Sequence, residues 1–267
     1  MYFLGIDIGS LSCDAVLIDD DENVIASSVV PTGARNRESI ARVSAEVLRD
    51  AGVDRGAVRA TVSTGYGRDR VDDRLASVTE ITCHARGIAK LVPGTRLLVD
   101  IGGQDSKAIL MARDGRVVDF AMNDKCAAGT GRFLEAMARA LQVDIDEMGP
   151  LAAGAEGRQT ISSMCTVFAE SEVVSLIADG TPVNEIVHGI NRSIAARVAG
   201  MVKRIAPDHG ALPAAMSGGV ARNCGVVAAL RGALGCEVAV PALPDTVGAL
   251  GAALIARERC AAGAAAV

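Results

Sequence analysis

Two apolar stretches, each interrupted by an Asp and a Gly-containing turn, predict β-hairpins at separate places in the chain. The first runs through residues 4–18, where strand-like segments flank a Gly-Ser turn, and the polar run 19–23 follows it. The second runs through residues 97–110, and the turn-forming residues 113–115 follow it. Because apolar segments bounded by Gly, Asp, Asn and Ser are typical of paired strands, both stretches predict hairpins.

The two predicted hairpins are copies of one another. Three pairs of residues align at a spacing of 93 positions: Asp7 with Asp100, Gly9 with Gly102, and Ala15 with Ala108. An internal duplication determines the architecture of a chain, since each copy repeats one structural unit. We therefore expect two related halves.

Longer stretches after the hairpins predict helices. They cover about 37–51, 131–141, 167–178 and 183–205, and a further helix is expected to begin near Asn223. Gly52 follows the first stretch and Pro182 precedes the last, and both residue types are common at helix boundaries. Strands that alternate with helices predict the α/β class.

The expected boundary between the halves lies near Pro93 and Gly94. Residues 1–92 would form the first α/β half and residues 93–267 the second, with a C-terminal helix that is free to pack back on the first half. No low-complexity linker separates the two. We therefore expect them to pack around a nucleotide cleft.

Composition narrows the class of protein. Half of the 267 residues are hydrophobic, so a large core is available, but only 2 % are aromatic and Trp is absent. The core is therefore expected to consist of Ala, Val, Leu and Ile, with Met as filler. The net charge of −5 argues against a nucleic-acid partner, which attracts clustered positive charge. With neither a basic leader nor an apolar run long enough to span a bilayer, we expect a cytoplasmic protein without a membrane partner.

Each hairpin turn contains the residue types that bind a polyphosphate together with its metal ion. Gly lets the backbone approach a ligand, and successive N–H groups form an anion-binding concavity. An Asp at the end of a strand can hold hydrated Mg²⁺, which prefers one or two carboxylates plus phosphate oxygens. We therefore assign Asp7 and Asp100 to the Mg²⁺ and phosphates of ATP or ADP. The other expected contacts are Gly9, Ser10, Ser12, Gly102, Gly103, Gln104 and Lys107.

A third glycine turn, at Gly218 and Gly219, lies between an apolar segment and a predicted helix. Taken alone it is a strand-to-helix turn. Beside two phosphate hairpins it is the expected place for adenosine. Gln104 and Asp105 are candidates to orient the water that attacks the phosphate, a role that Gln has in other nucleoside triphosphatases.

The seven cysteines fall into two groups. Their number is odd and no two form a C-x-x-C pair, which argues against a disulfide framework and a zinc ribbon. Five are expected to be buried thiols that pack as small hydrophobes: Cys13, Cys83, Cys224, Cys236 and Cys260.

Cys126 and Cys165 differ from the other five because each lies near the start of a predicted helix, where the helix dipole favours the thiolate. A cubane iron–sulfur cluster usually takes four cysteines, so two per chain indicate a cluster shared across a two-fold dimer. An inert cysteine at a helix start is the alternative interpretation.

Nine motifs follow one another along nearly the whole chain: 64–68 (TGYGR), 83–87 (CHARG), 100–105 (DIGGQD), 123–133 around Cys126, 163–172 around Cys165, 189–190 (GI), 197–200 (RVAG), 218–221 (GGVA) and 248–253 (GALGAA). Their hairpins and Gly-Gly turn resemble the actin/Hsp70/sugar-kinase ATPase superfamily. The complete set is more similar to the ATPase activators of 2-hydroxyacyl-CoA dehydratases, which are related to the ATPase subunits of benzoyl-CoA reductase. The 123–131 block is more similar to that of the homodimeric activators than to that of the benzoyl-CoA reductase subunits.

This resemblance implies a homodimer that holds one [4Fe-4S] cluster through Cys126 and Cys165 of each subunit. It implies ATP-driven transfer of one electron, under anaerobic conditions, from ferredoxin or flavodoxin to a partner iron–sulfur dehydratase or reductase. The chain departs from the family pattern at three positions. Leu11 and Asp14 replace a Thr and a Lys in the first hairpin, and Asp245 falls where many relatives carry Gln.

Two other functions remain open at this point. A small-molecule kinase of the same superfamily would need an acceptor hydroxyl site and a catalytic carboxylate, and it would leave the two cysteine motifs unexplained. A non-enzymatic scaffold with a purely structural cluster would show no ATPase activity.

Overall fold

The computed structural model describes residues 1–155, 157, 159, 161–162 and 165–264, and its strands form two five-stranded sheets. The first sheet contains β1 (Tyr2–Ile8), β2 (Ser12–Asp19), β3 (Val24–Pro31), β4 (Val58–Thr64) and β5 (Ala76–Ser77). The second contains β6 (Leu97–Ile101), β7 (Ser106–Met111), β8 (Val117–Asn123), β9 (Ala214–Ser217) and β10 (Val238–Ala239).

The two sheets have the same topology. Their strand orders are β3-β2-β1-β4-β5 and β8-β7-β6-β9-β10, so each strand of one sheet has a counterpart in the other. In both sheets the first strand pairs antiparallel with the second and parallel with the fourth. The duplicated α/β architecture predicted from the 93-residue repeat is confirmed.

Eight α-helices have described bounds: α1 (Asn36–Ala51), α2 (Glu80–Leu91), α3 (Gly131–Leu141), α4 (Met148–Leu151), α5 (Thr166–Ala178), α6 (Val183–Ile205), α7 (Cys224–Leu234) and α8 (Val247–Ala264). The predicted bounds of α3 and α6 are confirmed at both ends. Helices α1 and α5 each begin one residue earlier than predicted. α1 ends at Ala51 and is capped by Gly52, whose φ of 64° is the left-handed conformation that stops helices.

The chain divides into two compact units. The first contains Met1–Thr95, Met111–Val117 and the C-terminal residues from Pro241, and the second contains Arg96–Leu110 and Val118–Val240. Helix α8 therefore belongs with the first sheet. Among the described residues, no helix combines the length and apolarity needed to cross a membrane.

In the first unit, helices cover both faces of the sheet. Leu4, Ile6 and Ile8 of β1 pack with Val43 and Val47 of α1. The opposite face packs against α8 and buries Phe3 of β1 together with Val16 and Ile18 of β2. Because side chains alternate along a strand, Asp7 and Asp14 lie on this second face.

In the second unit, one large core joins the sheet to the helices. It includes Val99 of β6, Phe133 of α3, Ile190 of α6, Met216 of β9 and Leu230 of α7, all fully buried. Phe133 is the largest of them, and the rest are aliphatic residues or Met, as the composition predicted. The second hairpin, the Gly218 turn and the Cys126 segment therefore all belong to the unit that contains this core.

Candidate functional site

The two hairpin turns have matching geometry. The Gly9 N–H donates to the Ser12 carbonyl at 2.9 Å, and the Gly102 N–H donates to the Asp105 carbonyl at 3.0 Å. Each hydrogen bond closes a two-residue turn at the same point of the repeat. The predicted nucleotide residues of each copy are thus brought together, Gly9 with Ser10 and Ser12 in one turn, and Gly102 with Gly103 and Gln104 in the other.

The second hairpin contains a buried ion-pair network. Lys107 lies directly opposite Asp100 across the β6–β7 pair. Its Nζ is 3.2 Å from Asp100 Oδ2 and 2.8 Å from Asp105 Oδ2, while Ser217 Oγ donates to Asp100 Oδ1 at 2.7 Å. All three charged side chains are buried. The ammonium and the hydroxyl thus each bind one carboxylate oxygen of Asp100, and a carboxylate at a strand end can hold Mg²⁺ through its water shell.

The two candidates for orienting water differ in their surroundings. Gln104 is exposed at the tip of the turn, whereas Asp105 is buried and paired with Lys107. A free amide at the tip can rotate toward a water molecule. The Asp105 carboxylate would first have to break its ion pair with Lys107 before it could bind a water molecule.

The first hairpin has a different charge pattern at the equivalent positions. Asp14 lies directly opposite Asp7 across the β1–β2 pair, where the second hairpin has Lys107. Burial is the main cause that raises the pKa of Asp14 well above its usual value, and the neighbouring carboxylates of Asp7 and Asp245 raise it further. Ser12 Oγ donates to Asp14 Oδ2 at 3.1 Å.

Two glycines leave space for the Asp7 carboxylate. Gly65 follows β4 with a φ of 83°, and a Cβ there would be 2.3 Å from Asp7 Oδ1. A Cβ on Gly248, in the first turn of α8, would be 2.2 Å from Asp7 Oδ2 and 2.7 Å from Cε1 of His84. Asp7 therefore lies at the N-terminus of α8, where the helix dipole favours a negative charge.

The third glycine turn contacts the second hairpin. Gly218 has a φ of 84°, and a Cβ there would be 2.3 Å from the Ile101 carbonyl and 3.0 Å from Asp100 Oδ1. Only glycine fits this conformation and this spacing. Helix α7 then begins at Cys224, as predicted, with the Asn223 side chain accepting from the Val226 N–H at 3.0 Å.

A cavity of about 870 Å³ lies in the second unit along α6 and α7. Its wall is made mostly of small residues such as Gly225, Ala228 and Gly232, with polar atoms from Arg192 and Ser193. The Ser193 hydroxyl is buried and has no hydrogen-bond partner among the described residues. Cavities of this size with a few polar groups commonly bind small molecules.

The segment that contains Cys126 is connected directly to the second hairpin. The N–H groups of Gly131 and Arg132, at the start of α3, donate to the carbonyls of Gly102 and Gly103, both at 2.9 Å. Just before them, Thr130 Oγ1 donates to the Ala127 carbonyl at 2.6 Å. The phosphate turn and the segment leading to Cys126 therefore share one hydrogen-bonded connection.

Neither candidate cluster cysteine is in a disulfide, and both are partly exposed. The Cys126 carbonyl accepts from Asn123 Nδ2 at 2.8 Å, which fixes the turn before α3. Cys165 is the N-cap residue of α5 and has an extended backbone. The neighbouring motif residues Ser163 and Met164 lie outside the described part of the chain. Within the described ranges, no group of three or more His, Cys, Asp or Glu is arranged to hold a metal ion.

The remaining five cysteines follow the prediction of buried thiols only in part: two are buried, two are partly buried and one is exposed. Cys13 and Cys83 are buried, and burial raises the pKa of each thiol to about 12. Cys236 and Cys260 are partly buried. The expectation of a buried Cys224 is wrong: this residue is exposed, because it begins α7 at the surface and contributes to the wall of the cavity.

Several residues at the site were not assigned from the sequence. Thr64 and Ser217 end the strands that run parallel to β1 and β6, opposite Asp7 and Asp100. His84 is near Asp7, with its Nδ1 2.9 Å from the Glu80 carbonyl. The Thr64-Gly65 and Ser217-Gly218 pairs occupy equivalent places in the duplicated sheets, and this shared hydroxyl-glycine pair is the signal that could have identified them.

Comparison with known proteins defines the class to which this fold and site belong. The model of the BadF/BadG/BcrA/BcrD ATPase family matches residues 4–256, and the chain belongs to this family. It is 46 % identical over 258 residues to the activator of lactoyl-CoA dehydratase of Anaerotignum propionicum, covering 97 % of this chain and 98 % of that protein. It is 42 % identical over 256 residues to the 2-hydroxyisocaproyl-CoA dehydratase activator of Clostridioides difficile, covering 96 % and 95 %.

Solved structures show the same relationship. The structure of the activator of the 2-hydroxyisocaproyl-CoA dehydratase from Clostridium difficile with bound ADPNP superposes with a TM-score of 0.93 at 41 % identity, covering 100 % of this chain and 98 % of that one. The ROK hexokinase of Thermus thermophilus has a TM-score of 0.55 at 19 % identity, covering 98 % and 100 %. The second likeness shows a shared fold alone. The chain is thus an ATPase with the actin/Hsp70/sugar-kinase fold.

Proposed function

We propose that this ATPase is an activator that passes single electrons, driven by ATP, from ferredoxin or flavodoxin to a partner iron–sulfur 2-hydroxyacyl-CoA dehydratase or related reductase. Relatives named as dehydratase activators, matched over almost their whole length, support this role. The observation that carries it is the pair of hydrogen bonds from Gly131 and Arg132 to the second phosphate turn. A change at that turn would reach the Cys126 segment through these two hydrogen bonds.

The hairpins supply the proposed contacts to Mg²⁺ and ATP. Asp7 and Asp100 are assigned to the metal ion and its water shell, since both are buried carboxylates at strand ends. The Gly9 and Gly102 N–H groups close the turns, so the N–H groups at the turn tips and the Ser10 hydroxyl would donate to phosphate oxygens. The Lys107 ammonium, which pairs with Asp105, would also interact with the phosphates. Gln104 would orient the attacking water.

Adenosine is assigned to the Gly218-Gly219 turn and the adjoining cavity. The cavity wall includes Cys224 and Gly225, at the start of the helix that follows this turn. Its small side chains leave room for a flat base, and the buried Ser193 hydroxyl offers a hydrogen bond to it. The arrangement supports a nucleoside on the helical side of the second sheet.

The cysteines fit one half of a shared cluster. One chain provides two partly exposed thiols: Cys165 at the N-cap of α5, and Cys126 in the segment before α3. Two copies related by a two-fold axis would provide the four thiolates that a [4Fe-4S] cluster takes. When bound, such a cluster would accept and release one electron at a time. The protein would hold it through these side chains and the nearby backbone N–H groups.

The surface of α5 supports the homodimer. Val167 and Phe168, directly after Cys165, are 66 % and 64 % exposed, and Val174 and Ile177 are also exposed on the same helix. Apolar side chains in this number beside a candidate shared site are typical of a surface that a second subunit covers. The dimer would thus bury α5 and bring two copies of Cys165 together.

Anaerobic purification with metal analysis tests this function. We expect four irons per dimer, a brown absorbance that dithionite bleaches, and ATP hydrolysis. Cys126→Ala and Cys165→Ala should each lose the iron and the absorbance, while the matched change Cys260→Ala should keep both. Iron-free dimers of the unmodified protein, or full iron content in both ligand variants, would overturn the cluster assignment.

A further inference from the structure

We propose that Cys224 is a site of reversible modification by small anionic disulfides such as glutathione disulfide, and that the adduct occupies the cavity along α6 and α7 and blocks nucleotide binding. The inference rests on the proposed placement of adenosine in this cavity and adds a redox control to that site. It depends neither on the cluster nor on the electron-transfer partner.

Cys224 combines an accessible thiol with a place on the cavity wall. Among the seven cysteines, all of which lie in the described ranges, it alone is exposed. Gly149 of α4 lines the same cavity, and a Cβ built there would be 3.1 Å from Cys224 Sγ. A group attached to this sulfur would therefore start at the cavity wall. Thiol–disulfide exchange requires access to the attacking sulfur, which the buried Cys13 and Cys83 lack.

Buried polar groups near this thiol indicate a ligand. Ser193 lines the cavity and is 7 % exposed, and its Oγ has no hydrogen-bond partner among the described residues. Asn191 of α6 is 1 % exposed, and neither polar atom of its amide has a partner there. Asn191 Nδ2 is 2.3 Å from the position of a Cβ built on Gly225, the residue after Cys224. Because an unsatisfied buried polar group is costly, both side chains favour a polar molecule beside the thiol.

The charge of the cavity wall suits an anion. Arg192 lines the cavity, is exposed, and forms no ion pair with any described residue. The described part of the wall contains no Asp or Glu. Glutathione carries carboxylates, which a guanidinium binds through paired hydrogen bonds. Arg192 should therefore favour an anionic disulfide over a neutral one.

The exchange step needs no reagent besides the disulfide. The Cys224 thiolate attacks one sulfur of glutathione disulfide, a new S–S bond forms, and the original S–S bond breaks. The Cys224 proton passes to water, and the departing glutathione thiolate takes up a proton in turn. Cys224 is oxidised and the departing sulfur is reduced. The cavity of about 870 Å³ is large enough for the attached tripeptide, which would take the space assigned to the base.

Peptide mass spectrometry of anaerobically purified protein treated with glutathione disulfide tests the site. We expect one adduct, at Cys224, which dithiothreitol removes and which saturating ADP slows at least tenfold. Arg192→Gln should slow the reaction with glutathione disulfide at least threefold and leave the reaction with the neutral hydroxyethyl disulfide unchanged. No adduct at Cys224, no protection by ADP, or an equal slowing of both disulfides in Arg192→Gln would overturn the proposal.

Titration with a fluorescent ATP analogue tests the consequence. The adduct should weaken binding at least tenfold, and dithiothreitol should restore it. Cys224→Ser should have the same affinity before and after treatment, whereas the matched control Cys260→Ser should lose affinity on treatment as the unmodified protein does. Unchanged affinity in protein fully modified at Cys224 would overturn the proposal. Iron analysis of the same samples separates the two hypotheses: iron-free protein that still shows the Cys224-dependent loss would contradict the cluster assignment alone.

Discussion

At the scale of single residues, the second phosphate hairpin depends on Lys107. Its side chain is 4 % exposed and lies between the carboxylates of Asp100 and Asp105. A buried ion pair contributes little net stability when complete, but removal of one partner leaves an uncompensated charge. The lysine thus balances two buried carboxylates, and under the proposed function it also supplies a positive charge to phosphate.

Lys107→Met should lower the free energy of unfolding by about 3 kcal/mol, because it leaves two buried carboxylates without a counter-charge. Urea denaturation of the apo-protein measures this change. The double variant Lys107→Met with Asp105→Asn should recover part of the loss, since one of the two charges is then removed. A loss below about 1 kcal/mol in the single variant would show that the pair is solvated.

Cysteine reactivity should follow burial. Iodoacetamide at pH 8.5 should modify the exposed Cys224 rapidly and leave Cys13 and Cys83 untouched until the protein unfolds. Burial raises the pKa of both protected thiols to about 12 from 9.0, so folded protein keeps them protonated while unfolded chains ionise. Their contribution to stability is therefore complete below pH 9 and is lost as the pH rises toward 12. Mass spectrometry of the modified peptides distinguishes the sites.

At the scale of elements, two turns and the start of α3 lie together at the proposed nucleotide site of the second unit. The β6–β7 turn receives the N-terminus of α3, and the turn after β9 passes close beside Ile101 and Asp100. A small displacement of any of these three elements would therefore alter the other two. The positive φ of Gly218 is the most restrictive position, because both its conformation and its spacing exclude a side chain.

Gly218→Ala should weaken ATP binding at least tenfold and lower the melting temperature, since its Cβ would be 2.3 Å from the Ile101 carbonyl. Gly210→Ala is the matched control, because a Cβ there meets no atom within 4 Å and its φ is not positive. Titration with a fluorescent ATP analogue and thermal unfolding measure both effects. Unchanged affinity in Gly218→Ala would separate this turn from the nucleotide site.

At the scale of the whole molecule, the proposed function requires two copies of the chain. A single chain offers two thiols at the candidate cluster site, and α5 exposes apolar side chains beside one of them. Assembly and cofactor binding would then be one equilibrium, because each subunit supplies half of the ligands. Loss of the cluster should favour separate subunits.

Val167→Asp should shift the protein from dimer to monomer, because it places a charge within the apolar surface of α5. Val118→Asp is the matched control: this valine is 60 % exposed on β8, compared with 66 % for Val167, and should leave the dimer intact. Sedimentation velocity under anaerobic conditions measures both. A stable dimer in Val167→Asp would place the subunit contact elsewhere.

The sequence predicted the elements well where local signals were strong. The Gly and Pro residues around α1 and α6, such as Gly52 and Pro182, marked helix ends, and the repeat identified both hairpins. Contacts between segments that are distant in the sequence could not be predicted from these local signals. Ser217 reaches Asp100 only because β9 pairs with β6, and His84 lies near Asp7 only because α2 and α8 pack together. The exposure of Cys224 likewise depends on how α7 packs, which one residue cannot reveal.

The hydrogen bonds from α3 to the second phosphate turn have a reciprocal consequence. Coupling between two binding equilibria is symmetric: if nucleotide alters the affinity at one end of a connection, a ligand at that end alters nucleotide affinity by the same factor. Because the N–H groups of Gly131 and Arg132 donate to the carbonyls of Gly102 and Gly103, a partner whose docking displaces the Cys126 segment would change how tightly the proposed site holds ATP. The proposed partner would thereby act as an exchange factor, influencing the release of ADP after each cycle.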